Sequence, residues 1–268
     1  DHRDLHSFPT RRSSDLTDPR DLAKIFDMEY PKYEAPEIEI INEDMLVPPA
    51  EDGEEVKLEK GPNIKSLPTI EPLADEINVP VLLKMGDNIS TDEILKAGAE
   101  VLPFRSNLPE ISKFSYTVID ESFYDRAMDA KEKEGGHIVV AKDNYAQGSS
   151  REHAAIAPKY LGQHAVIANS YARIAWQNLV NFGILPLEFI DESDYDKIEQ
   201  GDRVSFKNLR EDVEKRNNIK VHVKKENGDS VTFETKHTLS DRQINILLKG
   251  GIINEFKQRL KDEQVQEE

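Results

Sequence analysis

Apolar positions are scattered and unpatterned before Val79 and become dense and periodic beyond it. Val79 to Lys84 reads as a strand. The run His137-Ile138-Val139-Val140-Ala141 predicts another over about 137–142, and a helical piece follows from about 150, interrupted at Pro158. A further strand is predicted at 165–169, a helix at about 171–182 and a strand at 184–190. That helix places Tyr171, Ile174, Ala175, Asn178, Leu179 and Phe182 on one largely apolar stripe, with Gly183 where a C-terminal cap belongs. Val221 to Thr235 alternates around Asn227-Gly228, a hairpin signal. Leu239 to Gly251 predicts a last helix ending on two glycines, after which the final dozen charged residues should fray.

Strand-helix-strand-helix-strand through the centre implies an α/β fold with a mainly parallel sheet and right-handed crossovers. Ligands of such sheets collect at the carboxyl ends of the strands, where the turn after the 137–142 strand lies. Upstream, residues 17–75 hold one possible helix start at Asp18-Pro19-Arg20-Asp21, then repeated prolines and a charged stretch, the composition of an extended linker. Residues 1–16 show neither helical nor strand periodicity and read as a translated adapter fused to a truncated gene. On that reading the globular part, 76–268, is the C-terminal piece of a longer protein.

Charge narrows the function. The 268 residues carry 52 acidic against 35 basic side chains, a formal charge of −17, which opposes nucleic-acid binding through phosphates. No apolar run approaches the ~18 residues a membrane span needs. With no cysteine, disulfides and cysteine-ligated metals are excluded from this chain, and the seven histidines show no close metal-ligand spacing. No secretory apolar segment is present, so the expected compartment is the cytoplasm.

The most informative stretch is Asn144-Tyr145-Ala146-Gln147-Gly148-Ser149-Ser150-Arg151-Glu152-His153-Ala154-Ala155. It places two hydroxyls and a guanidinium on a turn that Gly148 allows to be sharp. One reading makes a serine a plain helix N-cap. The other makes the turn an anion site, whose free amides and cation would bind carboxylates and lower the energy of a serine alkoxide.

This stretch resembles the serine motif of the aconitase family, in its C-terminal swivel domain, and four further blocks resemble that domain in order. They are Gly86-Asp87-Asn88-Ile89-Ser90-Thr91-Asp92, Leu102-Pro103-Phe104-Arg105-Ser106-Asn107, Ala165 to Ile174, and Asn181-Phe182-Gly183-Ile184-Leu185-Pro186-Leu187. The resemblance implies a swivelling β/β/α domain tethered to earlier domains by the linker. It implies dehydration and rehydration between citrate and isocitrate through cis-aconitate. Ser149 would be the catalytic serine that takes a proton from substrate carbon, while Arg105, Ser150 and Arg151 would bind the tricarboxylate. It also implies a [4Fe-4S] cluster whose cysteine ligands lie in the N-terminal domains of the same protein, so the chain alone should be inactive.

Beside these roles stand plainer expectations. Asn88, Thr91 and Asp92 read as turn-holding residues. Glu93 stands where many relatives carry histidine. Ala146 replaces a common glycine, and we expect it to avoid positive φ. His153 should pack near the turn, and Arg173 and Trp176 read as structural. The nearest rival function is the small subunit of isopropylmalate isomerase or homoaconitase, which the long linker and Arg105 argue against. A non-catalytic ligand- or RNA-binding module is a third reading, opposed by the charge and the intact Ser-Ser-Arg set.

Overall fold

A computed structural model describes residues 19–30, 32–37, 43–57 and 59–267, so the expectation for residues 1–16 lies outside the described residues. The chain divides into two units, 1–58 and 59–268. Among its described residues the first holds helix α1 (Pro19–Ile25) and two short 3-10 turns, Glu43–Met45 and Gly53–Glu55. Its Phe26, Met28, Tyr33, Met45 and Val47 are exposed, so the described part of this unit buries little apolar surface.

The second unit is built on seven strands: β1 (Ile77–Lys84), β2 (His137–Val140), β3 (Gln163–Ala168), β4 (Leu185–Phe189), β5 (Arg203–Phe206), β6 (Ile219–Lys224) and β7 (Ser230–Lys236). They close into a barrel in the order β1-β2-β3-β4-β7-β6-β5. Strands β1 to β4 pair in parallel. β7 runs against β4, β6 against β7, and β5 against both β6 and β1. Five strands therefore share one direction, the mainly parallel sheet expected from the alternation. Closure was not foreseen, because β5 escaped the pattern.

β2 is buried at every position, as its unbroken apolar run requires. One face, with Ile138, Val140, Ala165, Ile167, Leu185 and Leu187, joins residues from all seven strands in the barrel interior. The other, with Leu83, Val139 and Val166, packs against helices. These include α4 (Phe123–Glu134), α5 (His153–Tyr160) and α6 (Arg173–Asn181), which follow two short helices, α2 (Thr91–Ile94) and α3 (Leu108–Ile111). Phe123, Ala127 and Ala130 of α4 are buried at helical spacing, a stripe the sequence reading passed over.

Helix α6 ends as predicted. Gly183 takes φ 71°, with Ile184 N–H donating to Leu179 O at 2.9 Å and Gly183 N–H to Val180 O at 3.1 Å, the two bonds of a Schellman cap. A side chain there would also strike Gly250 O, which lies 2.5 Å from where a Cβ would sit.

Three expectations need correction. Pro158 lies inside α5 rather than interrupting it; it forfeits one backbone bond in a helix otherwise buried from Ala154 to Ala157. Ile174, placed on the apolar stripe, is 51% exposed, while Val180 on the far side is fully buried in the barrel cluster; α6 is gripped from two sides. The C-terminal segment is helical instead of frayed. After α7 (Leu209–Lys215) and α8 (Asp241–Leu248), helix α9 spans Ile252–Glu267. Asn254 ties it down by donating to Ile70 O and Lys249 O.

Candidate active site

Three loops leaving the carboxyl ends of β1, β2 and β3 meet at one edge of the barrel. Asn144 to Arg151, after β2, lies between the other two. Gln147 N–H donates to Ile89 O and receives Thr91 N–H at its carbonyl, while Tyr145 exchanges bonds with Ser170 and Ala172. Asn144 Nδ2 donates to Asn88 Oδ1 at 3.0 Å, and Gln147 Nε2 to Asn88 O at 2.9 Å. Beneath, the buried Tyr145 hydroxyl meets Tyr116 Oη at 2.7 Å, and Tyr116 also donates to Gln163.

This two-sided clamp explains why Ala146 departs from expectation. It stands at φ 61°, the left-handed region that costs a β-carbon roughly 1–2 kcal/mol. Both flanking residues are bonded to neighbouring loops, so Ala146 has no freedom to leave. Gly148, at φ 108°, makes the next reversal without that penalty.

The turn then presents its serines to solvent. Helix α5 starts at His153 with Glu152 at its N-cap, so neither serine caps it. The helix-start amides expected beside Ser149 lie further along the chain. What Ser149 and Ser150 do have is their own loop: among the described residues, the amides of Gly148, Ser149 and Ser150 donate to no protein acceptor. These are donors of the kind an oxyanion or carboxylate needs.

Arg105, Ser149, Ser150 and Arg151 line one cleft with a cavity of about 130 Å³. Arg151 Nη1 donates to Asp92 Oδ1 at 2.5 Å and to Leu95 O at 3.2 Å. The Arg151 hydrogen bond holds the Asp92 carboxyl below the usual carboxylate range. Arg105 is exposed, and among the described residues its guanidinium has no ion pair or hydrogen bond. His153 joins the two arginine-bearing loops: its Nε2 donates to Arg105 O at 2.8 Å, and Nδ1 lies 3.2 Å from Glu152 Oε1.

The structure brings the four predicted residues, Arg105, Ser149, Ser150 and Arg151, to one cleft, and gives two other residues roles the sequence does not suggest. Asp92 was read as holding a turn, and it anchors Arg151. His153 was read as packing, and it fixes the Arg105 backbone. Glu93 closes a capping box with Ser90, a use for the glutamate that stands in place of histidine. Arg173 lines a separate open cavity beside Ile174 and Trp176, and Trp176 packs edge-on to Tyr171 at 5.1 Å.

Cluster chemistry has no foothold on these side chains. An iron–sulfur cluster takes thiolate ligands; the chain has no cysteine, and no cluster of three or more His, Asp or Glu placed to hold a metal occurs among the described residues.

The fold and cleft define an α/β barrel domain with an exposed serine–arginine loop at the ends of its parallel strands. Residues 87–192 match the family model described as the aconitase C-terminal domain. Curated relatives include the homocitrate dehydratase, mitochondrial, of Saccharomyces cerevisiae, 34% identical over 74% of this chain and 28% of its own length. The aconitate hydratase, mitochondrial, of the same yeast is 33% identical over 78% of this chain and 30% of its own. Among solved structures, a 3-isopropylmalate dehydratase of Methanocaldococcus jannaschii superposes with TM-score 0.53 at 31% identity, covering 71% of this chain and 99% of that one. The chain belongs to the aconitase family. It spans less than a third of the length of the two yeast relatives.

Proposed function

We propose that this chain is the C-terminal domain of an aconitate hydratase, supplying the serine base and the carboxylate-binding arginines for citrate–isocitrate interconversion. The observation that carries the reading is the convergence of Arg105, Ser149, Ser150 and Arg151 on one cleft. Among the described residues, the loop amides and the Arg105 guanidinium there have no protein partner.

In this reading Arg105 and Arg151 grip substrate carboxylates through their planar forks, and the Ser150 hydroxyl adds a neutral donor. Ser149 Oγ takes the proton from the substrate carbon during dehydration and returns it during rehydration. A free serine is a poor base, so its alkoxide needs the two cations and the unpaired loop amides nearby. The [4Fe-4S] cluster, a Lewis acid for the substrate hydroxyl when bound, belongs to other domains of the whole enzyme because this chain offers it no ligand. The isolated chain is accordingly inactive, and its partners are those domains and the tricarboxylate. A cytoplasmic location is part of the proposal; the yeast relatives carry the word mitochondrial in their names, and fractionation of the source cells decides between the two.

The second reading is a small-subunit-type domain acting on isopropylmalate or homoaconitate, favoured by the superposition on isopropylmalate dehydratase. A chimera tests both. Residues 59–268 replace the matching C-terminal quarter of the yeast aconitate hydratase, and hydration of cis-aconitate, cis-homoaconitate and isopropylmaleate is compared. The expected result is preference for cis-aconitate. In the active chimera Ser149→Ala should lower kcat by at least about a hundredfold with little change in KM. Arg105→Lys should chiefly raise KM. A Ser149→Ala enzyme that keeps more than about a tenth of its turnover refutes the base assignment. Preference for isopropylmaleate or cis-homoaconitate selects the second reading.

A further inference from the structure

A second cavity, of about 180 Å³, opens between the 68–74 segment and the C-terminal end of α5. Lys159 and Tyr160 of its wall stand at the far end of α5 from the serine loop, while Ile156 lies about one helical turn from His153 of that cleft. None of the four cleft residues lines it.

Its walls combine apolar side chains, among them Leu73, Leu108 and Ile156, with three bases, Lys131, Lys159 and His164. Lys159 Nζ donates to Gly183 O at 2.7 Å, and Lys131 Nζ donates to Tyr160 O at 2.5 Å while sitting 4.4 Å over the Tyr160 ring. Those carbonyls end α6 and α5, so each lysine has a structural use at a helix terminus. That use engages one ammonium donor of three. Among the described residues neither lysine has a carboxylate within 4.0 Å. Glu71, the one acidic residue on the lining, is exposed and pairs with neither. Two part-buried cations without a direct ion pair among the described residues, Lys131 having only the more distant charge of Glu132, are unusual in a chain of net charge −17. Burial pushes the Lys159 ammonium down to about 8 and lowers Lys131 and His164 as well.

We propose that this cavity binds a small organic monoanion, a carboxylate carried on a short apolar body, with its charge between Lys131 and Lys159 and its body against Leu73, Leu108 and Ile156. The apolar walls disfavour a fully hydrated ion such as inorganic phosphate, and the bases disfavour an uncharged hydrocarbon.

The test uses the full 268-residue chain and calorimetric titration at pH 7 with hexanoate, hexan-1-ol, hexylamine and inorganic phosphate. Hexanoate should bind one per chain, at least about tenfold tighter than the other three. An excess of tricarballylate, which the arginine cleft would take, should not displace it. Lys159→Met keeps the aliphatic stem and removes the charge; it should weaken hexanoate at least about tenfold while hexan-1-ol binding stays as it was. Ala74→Trp, at the exposed rim of the cavity, should block both and keeps the test available if Lys159→Met does not fold. Equal affinity for hexanoate and hexan-1-ol, displacement by tricarballylate, or hexanoate binding that survives either substitution overturns the proposal.

Discussion

His137 gives the sharpest stability prediction. Its ring is fully buried on β2, packs edge-on to Phe123 at 5.5 Å, and neither nitrogen makes a hydrogen bond of normal geometry, the Gln163 side chain being the polar group that partly opposes the effect of burial. Burial, aided by the nearby His164 charge, pushes its pKa down to about 3 from the ordinary 6.5. The folded state therefore resists a proton that the unfolded chain accepts below pH 6.5, so stability falls as pH drops through that window. The slope is about 1.4 kcal/mol per pH unit, or roughly 2.7 kcal/mol lost by pH 4.5 from this one ring. His137→Leu removes the titration and two unpartnered nitrogens, at the loss of the ring contact. At pH 7.5 it should lie within about 1 kcal/mol of the parent. Urea unfolding, followed by the single tryptophan, Trp176, measures both proteins from pH 7.5 to 4.5. Other titrating groups largely cancel in the difference, which should move by about 2–3 kcal/mol in favour of the variant as pH falls. A difference flat to within about 0.5 kcal/mol would show that water or a partner reaches the ring, and the burial argument would fail.

Ala146→Gly should stabilise the domain by up to about 1 kcal/mol in the same urea assay, because it relieves the φ 61° backbone; a fall in stability would mean the loop is unstrained. Asp92→Asn should leave melting nearly unchanged, since Asp92 is 62% exposed. It should raise KM in the active chimera by freeing Arg151, and an unchanged KM would remove Asp92 from the site. Anaerobic reconstitution of the isolated chain with iron and sulfide should leave no stoichiometric cluster absorbance, given zero cysteines. A cluster bound at one per chain would contradict the assignment of its ligands to other domains.

How much of this was legible in the sequence follows the range of the interactions involved. The strands β2, β3 and β4 were readable because both faces of that sheet are buried, which leaves unbroken apolar runs. Gly183 was readable because a helix end needs a left-handed residue wherever it occurs. The serine–arginine stretch was recognisable as a string of residues, since its chemistry lies in consecutive side chains. Long-range contacts were another matter. β5 is short, with half its residues only partly buried, so nothing local announced that it would pair with β1 and close the barrel. The conformation of Ala146 is set by bonds from its neighbours to Ile89 and Ser170, and a local propensity argument could only predict the opposite sign of φ. The union of Arg105 with Ser149 depends on His153 reaching back 48 residues to the Arg105 carbonyl. The sequence alone determined which elements form and which side chains carry the chemistry, because both depend on neighbours along the chain. Only the tertiary structure decided which of those side chains share a cleft and which cations are left without a partner, because hydrogen bonds and charges act through space, at distances that sequence separation does not encode.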